Sequence, residues 1–250
     1  MGRFLKLLTF AFVFLSFITT SCGNNKKRLT ILAGAGLKEP LTQIVNLYEK
    51  QNPNTDVSVI YGGSGTLLTY IKEGKGDVFI PGSAYYLRIA KEKGFIEPRS
   101  VRFVAYHTPV LVVRKSLAEK IHSIYDLAKV DLRIGLGDPQ AAAIGRVTDK
   151  ILHKAGIYEK VSKKVVVRTP TVNQLLVYLN TGQIDAAIVW KDLVKNNKDL
   201  VVISIPKGIN EIKTIEVGIA KNTPYKDEAL KFETFLISHR EIFEKAGFTK

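Results

Sequence analysis

Apolar positions along the chain switch between two spacings, and the switching sets the predicted elements. Residues 29–32 form a short β-type run; behind it Leu37, Leu41, Ile44, Val45 and Tyr48 recur at helical spacing and predict a helix that stops before Asn52-Pro53-Asn54. Residues 57–61 repeat the plan, with Leu67, Leu68 and Ile71 marking the helix, and Gly74-Lys75-Gly76-Asp77 leads into a third strand at 78–80. A third helix runs toward Gly94. Strands separated by helices of this length predict right-handed crossover units in mostly parallel sheets, with function at the carboxyl ends of the strands.

The pattern changes near His107-Thr108-Pro109, where runs at 101–105 and 110–113 follow one another without a helix between them. A hinge is expected there. Past it the theme restarts: a strand at 132–136 and a helix carrying Val147, Ile151 and Leu152; a strand at 165–167 and a helix carrying Val172, Leu175, Leu176 and Leu179; then a strand at 184–189. Runs at 200–205 and 215–219 are further strands, and Phe232, Leu236, Ile242 and Phe243 fit closing helices. The reading is an α/β chain of two lobes with a hinge between them. Residues 29–107 and 207–250 form the first lobe and 108–206 the second, so the chain crosses twice and closes as a clamshell.

Four predicted strands run into loops of small residues that open helices: Ala33-Gly34-Ala35-Gly36, Gly62-Gly63-Ser64-Gly65, Gly137-Asp138-Pro139 through Gly145, and Arg168-Thr169-Pro170-Thr171. A helix start leaves its first N–H groups without internal partners and carries the positive end of the helix dipole, so such turns hold anions. In the second loop, three glycines let the backbone approach a ligand while Ser64 caps the helix or donates to an oxygen. Thr171 is an expected N-cap that leaves the N–H groups of Val172 and Asn173 free, Asp138 reads as a turn residue, and Trp190 ends an aliphatic strand with a donor-only indole.

Composition narrows the setting. Arg3 and Lys6 precede an apolar run at 7–18 that gives way to Thr19-Thr20-Ser21-Cys22, the form of a secretory leader over 1–21. Cys22 is the only cysteine, and its place resembles the lipidation site of bacterial lipoproteins, with 22–28 as lipidated N-terminus and tether. A mature domain without another thiol has no disulfide and no cysteine-ligated metal. The formal net charge is +14, but Lys and Arg are scattered along nearly every segment, which reads as a solvated surface and not as a nucleic-acid site.

Little points to catalysis. His107, His122, His153 and His239 lie far apart without metal-ligand spacing and read as structural or surface residues. Ser64 superficially resembles a nucleophile elbow, but its glycines abut it where that motif spaces them one residue away. A serine hydrolase is therefore the weaker alternative, beside a regulatory ligand-sensing module of the same fold.

Taken in order, the opening strand-loop-helix unit, Gly63-Ser64-Gly65-Thr66-Leu67, Gly76-Asp77-Val78-Phe79-Ile80, Ile134-Gly135-Leu136-Gly137-Asp138-Pro139, Gly182-Gln183-Ile184-Asp185-Ala186-Ala187-Ile188-Val189 and Phe243-Glu244-Lys245-Ala246-Gly247-Phe248-Thr249 resemble the periplasmic molybdate-binding protein family of ABC importers. The resemblance implies the two-lobed type II periplasmic-binding-protein fold and capture of molybdate or tungstate through neutral donors. It also implies delivery to an ABC permease and its ATPase subunit, a monomer, and membrane attachment through a lipid on Cys22. The oxyanion is cargo; no cofactor, catalytic residue or metal-ion ligand is implied. Carried over by position, the ligand residues are Gly36, Ser64, Ile144, Val172 and Trp190, with Ala35, Gly63 and Gly65 as neighbouring donors. Gly36 stands where the family commonly has serine, Ile144 where it has alanine and Trp190 where it has tyrosine. A phosphate or sulfate binder of the same fold is the near alternative, and Asp138 or Glu39 entering the cleft would favour phosphate by accepting its proton.

Overall fold

The β-branched and leucine-rich runs form strands because both faces of each sheet are covered, and near-continuous apolar sequence suits a strand buried on both sides. In the computed structural model, which describes residues 26–249, β1 (Lys27–Gly34), β2 (Thr55–Gly62), β3 (Val78–Ile80), β4 (Arg102–His107), and the late β10 (Lys213–Ile219) make one sheet in the order β2-β1-β3-β10-β4. The second sheet has the order β7-β6-β8-β5-β9, from β5 (Pro109–Arg114), β6 (Ile134–Gly137), β7 (Val165–Thr169), β8 (Ala186–Trp190) and β9 (Leu200–Ser204). The expected leader over 1–21 and Cys22 lie outside the described residues. β1 begins at Lys27, where the sequence pattern suggests tether, because Lys27 pairs with Thr55 and its ammonium meets the Glu228 carboxylate at 2.6 Å.

Both sheets are mixed rather than wholly parallel, for one reason. β1, β2 and β3 are mutually parallel, as are β6, β7 and β8. The strand arriving from the other lobe, β10 in the first sheet and β5 in the second, enters from the opposite end and runs antiparallel to both its neighbours.

Helices α1 (Lys38–Gln51), α2 (Ser64–Lys72), α3 (Ala84–Glu92), α7 (Lys226–Ser238) and α8 (Glu241–Ala246) belong to the first lobe. Tyr48 of α1 packs edge-on against Phe232 and Phe235 of α7, at centroid distances of 5.2 and 5.3 Å, and closes the outer layer of that lobe. The second lobe carries α4 (Ala143–Lys154), α5 (Tyr158–Ser162) and α6 (Val172–Asn180). The short α5 has no counterpart in the periodicity, since five residues give a 3.6-residue repeat little more than one turn to show itself. β6 and β8 start two residues later than the apolar runs suggest: Leu132 and Ile184 are buried as core contacts ahead of the strands.

The lobes meet backbone to backbone. Gly65 N–H donates to the Ala141 carbonyl across the cleft at 2.8 Å. A Cβ on Gly65 would lie 1.9 Å from the Gln140 carbonyl oxygen, and one on Gly63 would lie 2.3 Å from that of Pro170. These glycines are required by the close approach of the two halves, not by positive φ. At the returning crossing, Glu211 receives Lys154 of α4 at 2.5 Å and also Lys213 of β10, an ionic tie between the lobes. Burial alone would raise the Glu211 carboxyl, but the ammonium groups of Lys154 and Lys213 outweigh it and hold the pKa down to about 2.

Two outcomes follow. Gly65→Ala should leave both lobes folded but hold them apart, because backbone at that distance cannot yield as a side chain can; circular dichroism should be unchanged and small-angle scattering should give a larger radius of gyration. Glu211 is more acidic folded than unfolded, so its contribution is present above its ordinary pKa and is lost as pH falls from about 4.5 toward about 2. That contribution is at most about 3 kcal/mol, and acid titration of Glu211→Gln should lack it.

Candidate functional site

The site is built from helix starts that lack capping side chains. The N-cap positions are Gly34 for the 3-10 turn Ala35–Leu37 that leads into α1, Gly63 for α2, Ala142 for α4 and Thr171 for α6, and none makes a side-chain cap hydrogen bond. Thr171 has the expected extended N-cap backbone, yet its hydroxyl donates to Gln174 Oε1 at 3.3 Å and caps nothing. By contrast α3, which also begins beside this region, is capped conventionally, Ser83 Oγ accepting from Tyr85 N–H at 3.4 Å. Four helix starts around the cleft therefore have no side chain accepting from their first N–H groups, while the fifth has one.

These starts surround a cavity of about 20 Å³, a volume on the scale of one small ion and not of an organic solute. Ala35, Gly36, Gly63, Ser64, Ile144, Val172 and Trp190 all line it, as do His107 and Gly82. Gly65 does not, and the expectation that it donates to a ligand is corrected: its N–H is committed to Ala141 across the cleft. Ser64 is the first residue of α2 and not its cap; its buried Oγ accepts from Gly82 N–H at 3.0 Å, which leaves the hydroxyl hydrogen free to donate. Across the cleft, Asn173 of α6 donates its amide to the Ala35 carbonyl at 3.1 Å, so the two halves of the ring of donors are tied directly.

Among the described residues no carboxylate lines this cavity. Asp138 is a turn residue, its Oδ1 accepting the N–H groups of Gln140 and Ala141 at 2.7 and 3.3 Å, and Glu39 is exposed on α1. Among the described residues no cluster of His, Cys, Asp or Glu could hold a metal ion. A wider groove of about 500 Å³ opens between the lobes nearby, with Tyr85, Arg88, Lys91, Arg146 and Lys150 among its lining. It is flanked by charged side chains, including a Glu216 carboxyl that burial raises, where the inner cavity offers backbone donors, the Ser64 and Thr171 hydroxyls, the Trp190 indole and the His107 imidazole. The inner cavity is therefore the candidate site.

Two substitutions relative to the resembled pattern are coupled in space. A Cβ on Gly36 would sit 3.3 Å from Trp190 Cδ1 and 3.5 Å from His107 Cε1, so a serine there would press on the indole. Loss of the hydroxyl at position 36 and the larger ring at position 190 accommodate each other. His107 and Gly82 were not legible as site residues. A usable signal existed for Gly82, since Pro81-Gly82-Ser83 is another strand-to-helix loop of small residues; His107 carries only its position at the crossing.

Comparison with known proteins agrees with this geometry. Residues 29–249 match the family model described as bacterial extracellular solute-binding protein. A Haemophilus influenzae protein, provisionally named only as a binding protein, is 34% identical over 93% of this chain and 95% of its own length. A Bacillus subtilis protein provisionally named ABC transporter substrate-binding lipoprotein YvgL is 31% identical over 90% of this chain and 87% of its own. The Escherichia coli molybdate-binding protein ModA is 24% identical over 89% of each. Among solved structures, the periplasmic molybdate-binding protein of Azotobacter vinelandii superposes with a TM-score of 0.78 at 21% identity, covering 89% of this chain and 99% of that one, which shows the shared fold. Relatives of this kind bind solutes and are not enzymes. With a two-lobed fold, an interlobe cavity and a family match across nearly all the described residues, the chain belongs to the bacterial extracellular solute-binding proteins, as an ABC-type substrate-binding protein of the ModA-like group.

Proposed function

We propose that this protein captures molybdate or tungstate in the inner cavity and delivers it to an ABC permease driven by an ATPase subunit. In this reading it works as a monomer held at the membrane by a lipid on Cys22. The observation that carries the reading is the convergence of four uncapped helix starts on a small cavity free of carboxylates. The donors are the backbone N–H groups around Ala35, Gly36, Gly63, Ile144 and Val172, the Ser64 hydroxyl and the Trp190 indole. A dianion in such a site exchanges water for fixed dipoles of the right sign. The name of the E. coli relative supports the choice of metal oxyanion.

Selectivity follows from what the lining lacks. Hydrogen phosphate brings a proton that needs an acceptor, and no Asp or Glu among the described residues lines the cavity to receive it. Sulfate carries no such proton, so it is the second reading; only fit to the cavity separates it from the larger oxyanions.

Isothermal titration with molybdate, tungstate, sulfate and phosphate tests the assignment. Heat should appear with molybdate and tungstate first, sulfate should bind more weakly, and heat from phosphate alone would refute it. Ser64→Ala should weaken molybdate binding by about ten-fold or more. It should also cost about 1–3 kcal/mol of stability, because the buried Gly82 N–H loses its acceptor.

A further inference from the structure

His107 has more to do than fill the core. It is the last residue of β4, where the chain leaves the first lobe, and it is fully buried. Its Nδ1 lies 3.2 Å from the Gly82 carbonyl oxygen, which can only accept, so Nδ1 carries a hydrogen. Its Nε2 lies 3.2 Å from Oδ1 of Asp192, in the 3-10 turn Lys191–Val194 that follows β8 in the second lobe. This contact is at ion-pair distance but is not aligned as a hydrogen bond, and Asp192 Oδ2 has no hydrogen-bond partner among the described residues. A bare Nε2 would set a lone pair against a buried carboxylate, leaving two acceptors face to face in a low-dielectric site. A proton on Nε2 turns the same contact into attraction.

The ring is also stacked. It lies against the Trp190 indole with centroids 3.9 Å apart and planes 12° from parallel, and against Phe248 at 5.0 Å and 28°. Its Cε1 edge and Trp190 Cδ1 face the same point beside Gly36 in the cavity wall. The charged groups on neighbouring elements are otherwise engaged or turned away. Lys195 donates to the Lys245 carbonyl, Lys213 pairs with Glu211, and Lys191 is exposed beside Asp192. The short segments carrying Gly82, Gly36 and Trp190 add no ionisable side chain around the ring.

We propose that His107 is a positioning residue of the pocket: held between the Gly82 carbonyl and Asp192, it ties the lobes together and its stacked ring fixes the Trp190 indole against the ligand site. The ligand half of this statement rests on the anion-pocket reading above. Removal of the imidazole takes away both the contact across the lobes and the stack, so the closed form weakens, the indole is released and anion affinity falls.

Trp190 is the only tryptophan, so its emission reports this one stack. In the full chain without added anion, His107→Gln, which removes the stacked ring, should shift the emission to longer wavelength, and His107→Phe, which keeps a stacked ring, should restore most of it. Asp192→Asn, which keeps the shape and removes the charge, should give a smaller shift of the same sign and serves if the glutamine variant does not fold. An emission unchanged in His107→Gln and Asp192→Asn, or shifted equally by His107→Gln and His107→Phe, overturns the proposal. With molybdate as the probe, the dissociation constant should rise about ten-fold in His107→Gln; a constant equal to that of the natural protein overturns the link to binding. Absence of heat with every oxyanion in the natural protein would instead sink the ligand assignment, while the emission still decides the role of His107.

Discussion

Unpaired backbone donors are the constraint on which this molecule turns. A helix that starts without a capping side chain forgoes about 1 kcal/mol of stabilisation, and this chain does so repeatedly around one small cavity. In the proposed reading an acceptor between the lobes supplies that stabilisation, and the small residues of the loops fit it, because donors on two separate bodies can share one acceptor only when their backbones come nearly into contact. Gly63 and Gly65 exist for that approach: one leaves room for the Pro170 carbonyl, the other for that of Gln140.

Much of this was legible from residue order because helix starts are local. Small residues after an apolar run and before a 3.6-residue repeat mark such a turn wherever it occurs, and Ser64, Ile144, Val172 and Trp190, which the loops and the family resemblance single out, line one cavity. What escaped depends on pairing between distant segments. Gly65 reads as one more donor until its partner Ala141, 76 positions away, is known. His107 reads as an isolated histidine until the crossing strands bring Gly82, Asp192 and Trp190 around it. The one antiparallel strand in each sheet is illegible for the same reason, since local periodicity carries no sign of the direction from which β5 and β10 arrive.

The departures at positions 36 and 190 are two sides of one packing decision. Viewed singly, Gly36 loses a donor and Trp190 changes one. Viewed together, the indole takes space that a side chain at position 36 would contest, and the imidazole of His107 backs it from the first lobe. Serine at position 36 with Trp190 kept would set a hydroxymethyl group against a ring already packed between His107 and the cavity.

The reciprocal strand insertion has a consequence for how the chain is made. β3 and β4 become neighbours only through β10, which lies more than a hundred residues downstream, so the first sheet is left divided until most of the polypeptide is available. Contacts of such long sequence separation slow folding and expose unpaired strand edges in the meantime. A chain of this topology emerging amino end first cannot finish its first half before its second, and any fragment ending ahead of β10 would present two open edges for association with other chains.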